Sequence, residues 1–157
     1  MAFTIDTTEL DKVLIDFLSP FGVEKVQMGL DFSYFLESET VQYSLLVSEE
    51  ADETFTNYVN TLFPEIKNVD IFIWSVLHEL GHHMTVDEFD DEDWDEYVCR
   101  TSVGRIDDYE YYALPIETAA TVWAGEYIQS HMDEVTKLWN DSLAAIKNIY
   151  STLKSNF

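Results

Sequence analysis

The chain has 157 residues, 46% hydrophobic and 15% aromatic, which is enough for one domain with its own core and too apolar for wholesale disorder. Thirty-one acidic residues against eight basic ones leave a formal net charge of −23, a balance that repels phosphate backbones and anionic bilayers and so argues against direct nucleic-acid or membrane-surface binding. Cys99 is the only cysteine, which excludes an internal disulfide and a cysteine-based zinc site.

Met1 to Leu10 has neither a basic start nor an apolar run, so no secretory leader is expected, and the expected location is a cytoplasm. No stretch approaches the roughly 18 apolar residues of a membrane span. A first helix is predicted from Thr7 or Thr8 to about Leu18, with Leu10, Val13, Leu14, Phe17 and Leu18 at helical spacing. Ser19-Pro20-Phe21-Gly22 stops it. Val23 to Leu36 alternates imperfectly around Gly29, and Thr40 to Ser48 has a cleaner period of two, so a small antiparallel sheet is expected in this half. Helical spacing returns from Glu49 to Phe63. Asp70 is the expected cap of a helix running to about Thr85. Val86 to Asp93 carries six acidic residues in eight and reads as a solvated loop. Further helices are predicted from about Asp93 to Ile106, from Pro115 to His131 and from about Asp133 to Leu153, with an aromatic connection at Tyr109 to Leu114. The chain therefore reads as a single α+β domain over 1–157, mostly helical. Trp74, Trp94, Trp123 and Trp139 read as core anchors.

The helix after Asp70 contains His78-Glu79-Leu80-Gly81-His82-His83. Residues four apart on a helix project from one face, so His78 and His82 can ligate one Zn²⁺ while Glu79 reaches a water bound to it. Ile71, Trp74, Ser75, His78, Gly81, His82 and Thr85 share that broad face. Glycine costs about 1 kcal/mol inside a helix, so Gly81 signals either a close backbone approach beside the metal or a frayed end. His83 points about 100° away, toward solvent or core.

Hydrolytic zinc usually takes three protein ligands and leaves a position for water. Glu117, in the first turn of the Pro115 helix, is the best third ligand, because Ala120, Thr121 and Ala124 on its face are small enough to let the two helices approach. The competing explanation is a glutamate placed for the helix dipole. Asp87, Asp108 and Glu110 are weaker alternatives, and the metzincin pattern fails because Thr85 and Glu88 stand where its glycine and last ligand belong.

His78, Glu79 and His82 on one helix with a glutamate from a later one resemble a gluzincin-type zincin, and most closely the small intracellular ImmA/IrrE-like metallopeptidases of phages, mobile elements and bacteria. The resemblance covers roughly Asp70 to His131. It implies a zincin-like domain, Zn²⁺ on His78, His82 and Glu117, and peptide hydrolysis with Glu79 as general base in a bacterial or phage-infected cytoplasm. Thr121 stands where many gluzincins carry a second carboxylate behind the metal. Tyr109, Tyr111, Tyr112 and His131 are candidate donors to an oxyanion, His131 only if its helix breaks early, as at Gly125. The acidity favours a basic or DNA-binding protein substrate. The same acidity fits a second class of function, a non-catalytic decoy that binds a basic or DNA-binding partner.

Overall fold

Leu10, Leu14 and Leu18 are fully buried, one per turn of helix α1 (Thr8–Leu18), and this stripe packs against the last helix, α7 (Met132–Ser155). The computed structural model describes residues 5–102 and 106–155. Ser19–Phe21 form a 3-10 turn, and Gly22 closes it at φ 97°, a left-handed conformation that a side chain rarely adopts.

Three short strands follow, β1 (Lys25–Met28), β2 (Ser33–Phe35) and β3 (Thr40–Tyr43), in the order β1-β3-β2. The expected wholly antiparallel sheet is corrected to a mixed one. β2 pairs antiparallel with β3, Tyr34 opposite Val41, but β1 runs parallel to β3, Val26 beside Val41. The chain skips one strand position after β1, so β3 returns from the turn at Glu39 (φ 49°) into the gap and points the same way as β1. Alternating hydrophobicity marks which residues face the core but does not choose a strand's neighbour.

Helix α2 (Glu49–Leu62) starts at Ser48, whose hydroxyl accepts from the Ala51 N–H. Helix α3 (Ile71–Thr85) starts at the expected cap, where Asp70 accepts from the Phe72 N–H at 2.8 Å. Every residue from Phe72 to Gly81 is buried. α3 is therefore the central rod, with β3 and β2 against one side and helix α6 (Pro115–Ser130) against the other, its most extensive helix contact. A helix surrounded on all sides loses the polar stripe of a surface helix.

The acidic segment is solvated as expected, its six acidic residues all exposed, but it is not all loop. Val86–Glu88 make a 3-10 turn, and helix α4 spans Asp91–Ser102. Asp90 and Asp93 exchange side chain and backbone N–H, a reciprocal cap of about 3 Å on each side. Residues 103–105, the end of the predicted helix to Ile106, lie outside the described residues. The aromatic connection contains a short helix, α5 (Asp108–Tyr112), capped by Asp107. Trp74 is buried, and Trp123 and Trp139 pack on the core. Trp94 instead lies against Tyr97 on α4, which buries no residue fully. No helix among the described residues is long and apolar enough to cross a membrane.

Candidate metal centre

His78 and His82 lie one turn apart on α3, with ring centroids 4.7 Å apart and planes nearly perpendicular. Glu117 comes to them from the first turn of α6, where Pro115 supplies a fixed φ at a position whose N–H has no helical partner. Glu117 Oε1 sits 2.9 Å from His78 Nε2 and 3.2 Å from His82 Nε2. Its side chain is only 2% exposed. Donor atoms around one tetrahedral zinc are about 3.3 Å apart, given zinc–ligand distances near 2.0–2.1 Å. The two separations between Glu117 Oε1 and the imidazole nitrogens are of this size. His78, Glu79 and His82 bring their donor atoms within 4.8 Å of one another, and this group could hold a metal ion.

Gly81 explains the approach. A Cβ there would lie 2.3 Å from the Ala120 carbonyl oxygen, so the backbones of α3 and α6 touch where either side chain would hold them apart. α3 continues through Gly81 to Thr85, so close approach holds and fraying does not. Ala120 follows Glu117 by one turn, so the same contact delivers Glu117 to the histidines.

A shell of hydrogen bonds orients the three groups. Thr121 Oγ1 donates to the Glu117 carbonyl (3.2 Å) and so remains an acceptor for the Nδ1–H of His78 (2.9 Å). With Nδ1–H held by Thr121, Nε2 is the nitrogen left to face Glu117, donating to it in the metal-free chain and able to bind a metal once that proton leaves. Thr121 thus fills with a hydroxyl the place where a second carboxylate was the comparison. Tyr97 of α4 donates to Glu117 Oε2 at 2.6 Å and lies 3.1 Å from the Tyr111 hydroxyl. Phe55 and Tyr112 stack at 5.0 Å, and Phe55 meets the His78 ring edge-on at 5.4 Å.

The electrostatics separate the two glutamates. Burial would raise the Glu117 carboxyl, but hydrogen bonds from His78 and His82 outweigh it and hold the group well below the usual carboxylate range. Burial raises Glu79 above its ordinary value despite both histidines, and its side chain has no hydrogen bond among the described residues. Burial would lower His82, yet the hydrogen bond and charge of Glu117 raise it. Burial, then the charge and hydrogen bond of Glu117, push the Tyr97 hydroxyl upward.

Of the candidate donors, Tyr111 and Tyr112 line the cavity beside His78, while Tyr109 is 60% exposed and sets its ring edge-on to Tyr58. α6 passes Gly125 unbroken, and His131 stacks on Tyr127 at its exposed far end, so His131 is excluded from the site. Asp87, Asp108 and Glu110 are exposed. His83 is half-buried and bridges elements, its Nε2–H donating to the Phe21 carbonyl at 2.8 Å and its Nδ1 accepting from Tyr34 at 2.7 Å. Tyr97 was missed in the sequence, as were Phe55, Asp31 and Asp52, which line the same cavity. This cavity holds about 180 Å³. A larger cleft of about 630 Å³ between α1 and helices α6 and α7 includes none of these residues, and the convergent ionisable groups, not size, mark the site. Comparison of the chain with protein-family models, curated protein sequences and solved structures finds no match.

Proposed function

We propose that the chain is a zinc-dependent metallopeptidase of gluzincin type, similar to the small ImmA/IrrE-like enzymes, with zinc on His78, His82 and Glu117 and Glu79 as general base. The observation that carries this reading is the convergence of His78 Nε2 and His82 Nε2 on one oxygen of Glu117, with the unpaired carboxyl of Glu79 beside them. Nitrogen and oxygen donors in this combination suit zinc, and three protein ligands leave a place for water. Glu117 suits the ligand role better than Glu79, because one of its oxygens already meets both imidazole nitrogens while Glu79 makes no hydrogen bond among the described residues.

When bound, the ion supplies a Lewis acid that polarises a carbonyl and makes a water more acidic. The side chains do the rest. Glu79 has a carboxylate made more basic by burial and without a hydrogen bond among the described residues, suited to take a proton from water and return it to the leaving amine. Thr121 holds the His78 tautomer, and Tyr97 fixes Glu117 through Oε2 so that Oε1 stays toward the histidines. The Tyr111 hydroxyl, in the cavity next to Tyr97, is a donor for charge developing on a carbonyl oxygen. Phe55 and Tyr112 keep water off one side of His78. Cys99 is exposed and unpaired, which suits a reducing cytoplasm.

The test combines metal analysis with Glu79→Gln. One zinc per chain is expected in both proteins after reconstitution, with peptide hydrolysis reduced at least about 100-fold in the variant. No stoichiometric zinc, or undiminished hydrolysis by the variant, refutes the proposal. An acidic decoy would instead show partner binding that Glu79→Gln leaves intact and that weakens steeply with salt.

A further inference from the structure

Four carboxyl groups line the cavity beside His78, namely Glu79, Glu117, Asp31 from the turn before β2 and Asp52 from the N-terminal part of α2. No lysine or arginine lines it among the described residues. Glu117 is engaged by the histidines and Tyr97. Among the described residues Asp31 Oδ1 accepts only from the neutral Ser33 hydroxyl and Gln42 amide. Asp52 is half-buried, and its side chain makes no hydrogen bond among the described residues. Glu79, 7% exposed and likewise without a partner, lines the same space.

Helix-dipole placement does not account for Asp52. Glu49 and Glu50, in the same first turn, already supply negative charge and point to solvent, whereas Asp52 turns inward. Burial, with the charge of Asp70 added, pushes the Asp52 carboxyl above its ordinary value. A desolvated carboxylate among carboxylates is short of a cation. Beside Ser75, His78 and the two tyrosines, the rest of the wall is Phe32, Val47, Ala51 and Phe55, which offer a surface for an aliphatic stem. At about 30 Å³ per water, the cavity has room for some six waters, comparable to one long side chain.

We propose that this cavity is a subsite for a lysine or arginine side chain of a peptide, with Asp52 and Asp31 as its counter-charges. The identification of that peptide as a substrate rests on the peptidase reading, but the preference for a cation is a binding property that can be measured without turnover. An acidic side chain there meets four carboxyls, and a neutral aliphatic one fills the stem region without answering their charge.

The experiment uses blocked alanine pentapeptides whose central residue is arginine, lysine, norleucine or glutamate. Their binding to the metal-free full-length chain and to zinc-treated Glu79→Gln is measured by calorimetry, and their hydrolysis by the wild type is followed in parallel. Arginine and lysine peptides are expected to bind about tenfold tighter than norleucine, with glutamate weakest. Asp52→Asn and Asp31→Asn should each cut that preference severalfold, with Asp52→Ser as a second variant, while Glu49→Gln should leave it unchanged. Equal losses in Asp52→Asn and Glu49→Gln would reduce the effect to overall charge and overturn the subsite. Hydrolysis with no preference for a basic residue would overturn the subsite and leave the peptidase reading standing. An Asp52-dependent preference without hydrolysis would do the reverse.

Discussion

Replacing Gly81 by alanine tests whether the contact between α3 and α6 sets the site. In an isolated helix the change favours folding by about 1 kcal/mol. Here the new Cβ would lie 2.3 Å from the Ala120 carbonyl oxygen and 2.9 Å from its Cα and carbonyl carbon. These are backbone atoms, so no rotamer change relieves the overlap. Ordinary contact returns only if α6 withdraws by about 1 Å. Overpacking of this kind costs about 1–3 kcal/mol, which leaves a net loss of about 0–2 kcal/mol after the gain in propensity. The effect on the metal should be larger, because the same withdrawal carries Glu117 away from His78 and His82. Metal–ligand distances tolerate only about 0.2 Å. Zinc affinity is expected to fall about 100-fold, or about 2.8 kcal/mol. Urea unfolding of the metal-free protein reads the first effect, and competition with a chromophoric chelator reads the second. A Gly81→Ala protein that is more stable than its parent and binds zinc equally well would refute the argument that this contact positions Glu117.

Tyr97→Phe removes the 2.6 Å hydrogen bond to Glu117 Oε2 and keeps the ring; zinc affinity should drop about 10- to 100-fold by the same competition, and an unchanged value would deny Tyr97 its orienting role. Ser142 Oγ is buried without a partner among the described residues, so Ser142→Ala should raise stability by about 1 kcal/mol in urea, and a loss would reveal a bonded hydroxyl. The metal-free chain should also have a characteristic pH profile. Glu117 is lowered from 4.5, so its contribution is present above pH 4.5 and is lost as pH falls. His82 is raised from 6.5, so its contribution is present below pH 6.5 and is lost as pH rises through the raised value. Glu79, raised from 4.5, likewise loses its contribution as pH rises. Glu117 and His82 together should therefore contribute most between pH 4.5 and 6.5, with Glu79 weighting that range toward its acid end. Zinc, which needs deprotonated histidines, should widen the gap between loaded and metal-free protein above that range. Urea midpoints in chelator that are higher at pH 8 than at pH 6 would contradict the pairing of His82 with Glu117.

Features written in local spacing were legible. The leucine stripe of α1, the Asp70 cap and the His78–His82 pair depend on neighbours within a turn or two, and each stands in the structure where its spacing put it. Gly81 was legible as a question, because its cost in a helix demanded a reason, and the Ala120 carbonyl supplies one. The segment from Val86 to Asp93 reads as a solvated loop because its charge density hides a local signal. Asp90 and Asp93 have the spacing of a reciprocal cap, and α4 begins between them. The parallel partner of β1 was not legible, since a period of two is the same for either strand direction. Nor was Tyr97, which sits on a helix with no fully buried residue and bonds a carboxylate that only the tertiary fold brings near.

The burial of α3 bears on why these groups are there at all. Phe72 to Gly81 are enclosed on every side, so His78 and Glu79 occupy positions that an apolar side chain would fill without desolvation cost. A buried ionic cluster is weak support for stability, because apolar replacements of similar volume are often as stable or more so. Here the cluster spans His78, His82 and Glu117, adds Tyr97 and Thr121 as orienting partners, and leaves Glu79 unpaired. Stability alone would not favour an unpaired buried carboxyl next to a helix-interior glycine. The proposed metal site, which would need rigid donors and one free base, would account for both. It also accounts for the division of labour between rigid and peripheral elements. The groups that would ligate or move a proton stand on two helices locked backbone to backbone, while Asp31 and Asp52 reach the cavity from a turn and from near a helix end, where a change of side chain alters the cavity's charge without disturbing the core.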